Sequence, residues 1–329
     1  MTKQPARKGK RMRTIVELMA VGAVYCVAMA PVWAADDDGK SGAFVFTSFR
    51  GNGEDGLHLA WSEDGYTWRP LKGDRSFLRP TLGPHKLMRD PCIVAGPGGT
   101  FHMVWTTGWG DRIIGYASSK DLIEWSAQKD IPAMMHEPKA RNAWAPELFY
   151  DDKKCEFLIF WASTIPGRFA ETEAGADKGW NHRMYYTATK DFQTFEPTKL
   201  FFDGGFNVID ATILKAEDGY RLIVKDETLK PVAKHLRMAR GDSPRGPWGP
   251  AGPAFTIDWV EGPSAIRIGS EYFVYFDHYA RPHYYGAVKS ADLKTWQDVS
   301  RRMEFPRDHR HGTVLRVSRS ALDRLKAAR

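Results

Sequence analysis

An Asp followed a few positions later by an aromatic residue recurs five times in this 329-residue chain, four times with Ser or Thr two places ahead of the Asp. The copies are Ser62, Asp64 and Trp68; Ser119, Asp121 and Trp125; Thr189, Asp191 and Phe195; Asp242 and Trp248; and Ser290, Asp292 and Trp296. Steps of 57, 70, 51 and 50 residues separate one Asp from the next, which suits a supersecondary unit repeated end to end. A short Asp or Ser side chain caps a tight turn through local backbone hydrogen bonds, and the aromatic then pins the next strand to a neighbouring sheet. These Asp residues are therefore read as structural.

Between the turns lie paired runs of strand character. The second member of each pair is dense in aromatic and β-branched residues: FHMVWTT from Phe101, FLIFWAS from Phe157, YRLIVKD from Tyr220 and YFVYFDH from Tyr272. Each follows a turn signal, and helical periodicity is nearly absent. The economical architecture is all-β, a five-bladed β-propeller. AFVFTSF from Ala43 near the start and TVLRVS from Thr313 near the end predict closure of the ring by pairing of N- and C-terminal strands in one blade. With 18 Phe, 12 Trp and 12 Tyr there is ample core material, and wholesale disorder or a disulfide-stapled miniprotein is excluded.

Residues 1–34 read as a secretory signal peptide: a basic stretch through Arg13, an apolar run Val21 to Ala30 and a small-residue cleavage site at Val32-Trp33-Ala34. That run is too short to span a bilayer, so no stable membrane span is expected after its removal, and the location predicted is secreted or periplasmic. The division is then signal peptide 1–34, catalytic propeller 35–318 and a basic C-terminal tail 319–329, a short helix or frayed end. Without the leader 41 basic and 39 acidic residues remain, a net charge of +2, which gives nucleic acid no basic stripe to bind. Cys92 and Cys155 are read as small hydrophobes; neither spacing nor count requires a bridge.

The first strand of each unit opens with polar or charged residues: Arg89-Asp90-Pro91, Ala145-Pro146-Glu147, Ile209-Asp210-Ala211, Glu261-Gly262-Pro263 and His311-Gly312. In a propeller these positions converge on the central channel, which brings Asp90, Asp210 and Glu261 together. Converging, buried carboxyls raise one another's proton affinity, so one can remain protonated while another is ionised. Glycosidic bond cleavage needs that division of labour, although a polar channel that only binds water or a cation fits the positions equally. Counting outward from each hairpin turn places Thr107, Asp226 and His278 near the three acids, with Trp109, Trp144, Trp161, Tyr279 and Arg281 close enough to line a pocket. Asp226 is a rival acid. Trp faces stack on the apolar C–H surface of sugars.

The order RDP at Arg89, WAPE at Trp144, NVID at Asn207, VEGP at Val260 and RHG at Arg310 resembles family 43 glycoside hydrolases, five-bladed propellers that cleave arabinofuranosyl and xylosyl linkages with inversion. The resemblance spans residues 43–318. It implies Asp90 as the general base that activates water, Asp210 as the modulator that orients the acid and tunes its pKa, and Glu261 as the general acid. His311 matches the channel histidine that often sits over a bound water or a calcium ion; no cofactor is required. The substrate implied is a polysaccharide or oligosaccharide. The long insertion Ile165 to His182 suits a substrate lid. The alternatives are a propeller that binds sugars without cutting them, or a related fructan- or galactofuranoside-active glycosidase; the WMNDPNG-like stretch expected of the fructan enzymes is absent.

Overall fold

The computed structural model describes residues 42–328 together with residues 1 and 2. The signal-peptide reading therefore falls, apart from those two, outside the described residues. No helix among the described residues is long and apolar enough to cross a membrane.

Five small antiparallel sheets form the blades of a propeller. The first holds β1 (Ala43–Ser48), β2 (His58–Ser62) and β3 (Arg69–Pro70), and the second β4 (Arg89–Ala95), β5 (Phe101–Thr106), β6 (Ile114–Ser119) and β7 (Lys129–Ile131). The third comprises β8 (Trp144–Asp151), β9 (Glu156–Thr164), β10 (His182–Thr189) and β11 (Lys199–Phe202). The fourth has three strands, β12 (Val208–Ala216), β13 (Gly219–Asp226) and β14 (His235–Gly241), and the fifth has β15 (Val260–Ile268), β16 (Glu271–His278), β17 (Tyr284–Ser290) and β18 (Gln297–Asp298). Finally β19 (Val314–Val317) returns to the first blade as its innermost strand, pairing Ala43 with Val317 and Phe46 with Val314. The ring closes as the two end segments predict.

Apolar contacts lie between blades, because each sheet is covered on both faces by its neighbours. All nine residues of β9 are buried. Trp105, Met103 and Leu59 join the first and second blades; Ile159, Trp161 and Val104 join the second and third; Phe160, Val208 and Leu222 join the third and fourth. Ile223, Val274 and Phe276 fill the next gap, and Phe46, Trp68 and Tyr275 the last. Burying such side chains is worth roughly 1.5–3 kcal/mol each and is what holds the ring. Trp161, expected near the pocket, belongs to this core and is fully buried.

The repeated Asp caps the turn after the third strand of four blades. Asp64 accepts from the amides of Tyr66 and Thr67, Asp121 from Ile123 and Glu124, Asp191 from Gln193 and Thr194, and Asp292 from Lys294 and Thr295. The three-stranded fourth blade lacks this cap, and Trp248 bridges directly to Gly241. The basic tail is a docked helix, α1 (Arg319–Ala327), capped by Ser318 and burying Ala321, Leu322 and Leu325 against the first blade. Cys92 is buried with its sulfur accepting from the Leu148 amide, while Cys155 bonds to the Asp152 carbonyl, so the two are not joined.

Candidate active site

Every innermost strand enters the channel through a kink. Pairing skips between Arg89 and Cys92, Trp144 and Glu147, Ile209 and Ala211, and Glu261 and Ser264. At the skip stands a residue of positive φ: Asp90 at 52°, Ala145 at 46°, Asp210 at 51° and Gly262 at 57°, with His311 at 23° ahead of β19. Side chains other than glycine are held in this region at a cost of about 1–3 kcal/mol each, and such strain gathers at functional sites. At Gly262 a Cβ would meet the His311 ring at 2.5 Å, so only glycine fits there.

This register corrects the alignment expected from sequence. Asp90, Asp210 and His311 are equivalent to one another, but their counterpart in the fifth blade is Gly262. Glu261 stands one place earlier, level with Arg89, Trp144, Ile209 and Arg310, each paired with the end of a second strand. Two adjacent rings of residues thus face the channel, and the three acids are shared between them.

They meet in one cavity of about 460 Å³, lined by Asp90, Asp210, Glu261 and His311 with Thr106, Lys225 and Arg310 among others. Thr106 donates its hydroxyl to Asp90 Oδ2 at 2.8 Å, and His311 Nδ1 lies 3.2 Å from Asp90 Oδ1 and 3.9 Å from Asp210 Oδ2. Asp210 Oδ2 also accepts from the Gly262 amide at 3.0 Å, which ties it to the residue beside Glu261. Glu261 is clamped by two cations: Lys225 Nζ at 3.1 Å from Oε2 and an Arg310 guanidinium nitrogen at 3.1 Å from Oε1.

These surroundings push the acids apart in proton affinity. Burial raises the Asp210 carboxyl to about 6, with His311 and Lys225 pulling the other way. Burial acts on Glu261 too, but Lys225, Arg310 and His311 outweigh it and hold this carboxyl well below the usual range. Of these two, Asp210 therefore holds its proton to the higher pH, and Glu261 is ionised in the free pocket. Burial lowers the proton affinity of His311, but Asp90, Asp210, Glu261 and Glu147 outweigh it and move it above the ordinary value.

Below the acids lies Glu147, buried, accepting hydroxyl hydrogen bonds from Thr212 and Thr313 at 3.3 Å each; burial pushes it up to about 8. A calcium ion prefers oxygen ligands. At the channel centre it would meet the His311 imidazole, whose Nδ1 already faces Asp90 and Asp210. That nitrogen is therefore not free to ligate such an ion directly.

A family model described as a probable glycosyl hydrolase domain, of the family 43-related type, matches residues 40–323. The chain belongs to this family. An α-L-arabinofuranosidase of Bifidobacterium longum subsp. longum is 26% identical over 137 residues, covering 38% of this chain and 13% of that protein, so the match spans a small part of its relative. Among solved structures, an exo-β-1,3-galactanase from Phanerochaete chrysosporium has a TM-score of 0.51 at 14% identity, over 68% of this chain and 52% of that one, a likeness of fold. An α-L-arabinofuranosidase from Lactobacillus brevis has a TM-score of 0.48 at 16% identity, over 64% and 72%.

In this family 43-related chain the pocket has an aromatic wall. Trp109 meets Trp144 edge-on at 5.4 Å, and Trp144 lies 4.4 Å from Trp180, which Arg141 covers at 3.7 Å. Trp109 and Trp144 thus line the site as expected, and Trp180 joins them from the insertion Ile165 to His182. That insertion is pinned. It contains a 3₁₀ turn (Ala170–Gly175), Asn181 and Arg183 grip Phe169 and Thr172, and the Gly175 carbonyl accepts from Leu229.

Three expected pocket residues stand elsewhere. Asp226 is buried against Arg237 at 3.1 Å, and its neighbour Lys225 takes the pocket position. His278 stacks on Tyr284 and bonds the Pro282 carbonyl. Arg281 lines a wider cavity of about 690 Å³, which shares Gly51, Tyr279 and Arg310 with the first. Thr106 likewise replaces Thr107. For Asp226, His278 and Thr107 the displacement is one residue along the second strand, the extra residue of the kink in its partner. Glu227 and Lys234 complete an ion-pair chain from Lys225, unseen in the sequence because no motif marks it.

Proposed function

We propose that this chain is an exported inverting glycosidase that removes arabinofuranosyl or xylosyl units from polysaccharide side chains. The observation that carries the reading is the convergence of Asp90, Asp210 and Glu261 around one cavity with a tryptophan wall. The arabinofuranosidase likeness favours the pentosyl sugar; the leader-like residues 1–34 favour export.

In the mechanism proposed, Asp90 takes a proton from a water that attacks the anomeric carbon, while Glu261 protonates the departing glycosidic oxygen and the C–O bond breaks. Glu261 is ionised beforehand, so it must first acquire that proton. Asp210 is the nearby carboxyl of raised affinity and is assigned as its source. Lys225 and Arg310 then stabilise the glutamate left behind, and the tryptophans hold the sugar ring in place.

A second reading draws on the same clamp: a glutamate locked as an anion suits a propeller that binds sugar hydroxyls without cutting. One experiment separates the two. Aryl α-L-arabinofuranosides, β-D-xylosides and galactofuranosides are offered beside arabinan and arabinoxylan, with hydrolysis and calorimetric binding both measured. Turnover of a pentosyl substrate, with a first product of opposite anomeric configuration by proton NMR, is expected. Retained configuration removes the inverting mechanism, and binding without hydrolysis establishes the second reading.

A further inference from the structure

On the first blade, away from the acids, His58, Asp74 and His309 bring one ligand atom each to within 4.8 Å of one another. They come from three separate segments: the start of β2, the 3₁₀ turn Lys72–Asp74 after β3, and the run into β19. His309 Nε2 is 2.8 Å from Asp74 Oδ1, and His58 Nδ1 is 3.3 Å from the same oxygen. In a tetrahedral zinc site with metal–ligand bonds near 2.0–2.1 Å, neighbouring ligand atoms stand about 3.3 Å apart.

The outer nitrogens are already occupied. His58 Nε2 faces Asp55 Oδ2 at 2.8 Å, and His309 Nδ1 faces Ser48 Oγ at 2.6 Å. Such partners fix the tautomer and ring orientation of metal-binding histidines. With its Nε2 proton given to Asp55, His58 presents a lone pair at Nδ1, and that buried atom has no hydrogen-bond partner although a carboxylate oxygen lies 3.3 Å away. In that tautomer two lone pairs face each other, an arrangement that a cation between them would relieve. Asp74 is held at a φ of 61°, and Arg50 occupies its other oxygen at 3.0 Å, which leaves Oδ1 for the histidines. Arg50 opposes a cation, and the carboxylates of Asp55 and Asp74 offset it.

We propose that His58 Nδ1, His309 Nε2 and Asp74 Oδ1 bind one divalent transition-metal ion of the zinc class, with water completing the shell. Two imidazoles and one carboxylate suit such an ion rather than calcium or magnesium. Its place gives it a role. It joins β2 and the turn after β3 to the segment entering β19, so it clips the ring at its closure. His309 immediately precedes Arg310 and His311, and the clip also fixes the segment that carries both into the active site.

The test uses the full chain, purified without chelator. Metal analysis after zinc loading and gel filtration is expected to give about one equivalent, zinc to raise Tm by about 5 °C or more and EDTA to reverse it. Cobalt(II) is expected to give the visible absorption of a four-coordinate N/O site. His58→Ala and Asp74→Asn, each checked for folding by circular dichroism, are expected to lose the equivalent and the Tm response. Wild-type protein that takes up no stoichiometric zinc or cobalt overturns the proposal without reference to any variant. So does a folded His58→Ala protein that binds zinc as the wild type does.

Discussion

Acidic side chains gather at both ends of the propeller's blades, and the two ends differ in every respect but residue type. At the far end, where third strands turn back, Asp64, Asp121, Asp191 and Asp292 accept backbone amides from residues two and three places ahead, which keeps their carboxyls below the ordinary value. At the channel mouth Asp90, Asp210 and Glu261 are held by side chains and amides of other blades. There Asp210 moves up and Glu261 down. Local partners repeat with the chain and give four copies of one turn; long-range partners do not repeat and give each acid its own proton affinity.

The largest effect that tests this contrast is expected at Glu261. Glu261→Gln keeps the shape but cannot deliver a proton, and kcat on unactivated substrates is expected to fall roughly 10³-fold or more. A substrate with a 2,4-dinitrophenolate leaving group needs no acid and is expected to recover most of that loss. Asp210→Asn is expected to remove the decline in activity as pH rises through about 6, where wild-type Asp210 loses its proton. If the decline persists in Asp210→Asn and disappears in Glu261→Gln, the proton resides on Glu261 and the assignment is reversed.

How much of this division is legible in the residues alone follows from the same contrast. The turn Asp residues announce themselves by local spacing, and with the aromatic strands they carry the five blades and the ring closure. The three acids are legible because each opens an innermost strand, Asp90 and Glu261 beside Pro91 and Gly262 and Asp210 within the segment NVID. What escapes is register. The kinks at Asp90, Asp210 and Gly262 insert a residue that hairpin counting does not see, so Asp226, His278 and Thr107 were expected where Lys225, Asp277 and Thr106 pair. The clamp of Lys225 and Arg310 on Glu261 escapes with it, since the counting points to Asp226 rather than to Lys225 beside it. Trp180 escapes for a different reason: its insertion breaks the repeat.

The next effect sharpens the comparison from within the channel. Glu147 accepts from the hydroxyls of Thr212 and Thr313 and from the Cys92 thiol rather than from a cation clamp, and burial raises it to about 8. The folded state therefore binds the proton more tightly than the unfolded chain, and this contribution is present at low pH and lost as pH rises through about 8. Between pH 6 and pH 9 the loss is about 3 kcal/mol. Chemical denaturation at both pH values is expected to show that slope in the wild type and a flatter one in Glu147→Gln. An unchanged slope would mean that Glu147 is ionised in the fold.

The smallest effect belongs to the far end. Asp121→Ala removes the acceptor of the Ile123 and Glu124 amides in an exposed turn where water can replace it. By analogy with helix caps the loss is about 1 kcal/mol, read as a lower denaturation midpoint, with kcat and KM unchanged. Ser119 still bonds the Leu122 amide, so the turn keeps its path and Trp125 its place. A fall in activity greater than the stability loss explains would mean that the turns transmit strain along the strands to the kinks at the mouth, and the two ends of the blade would no longer be independent.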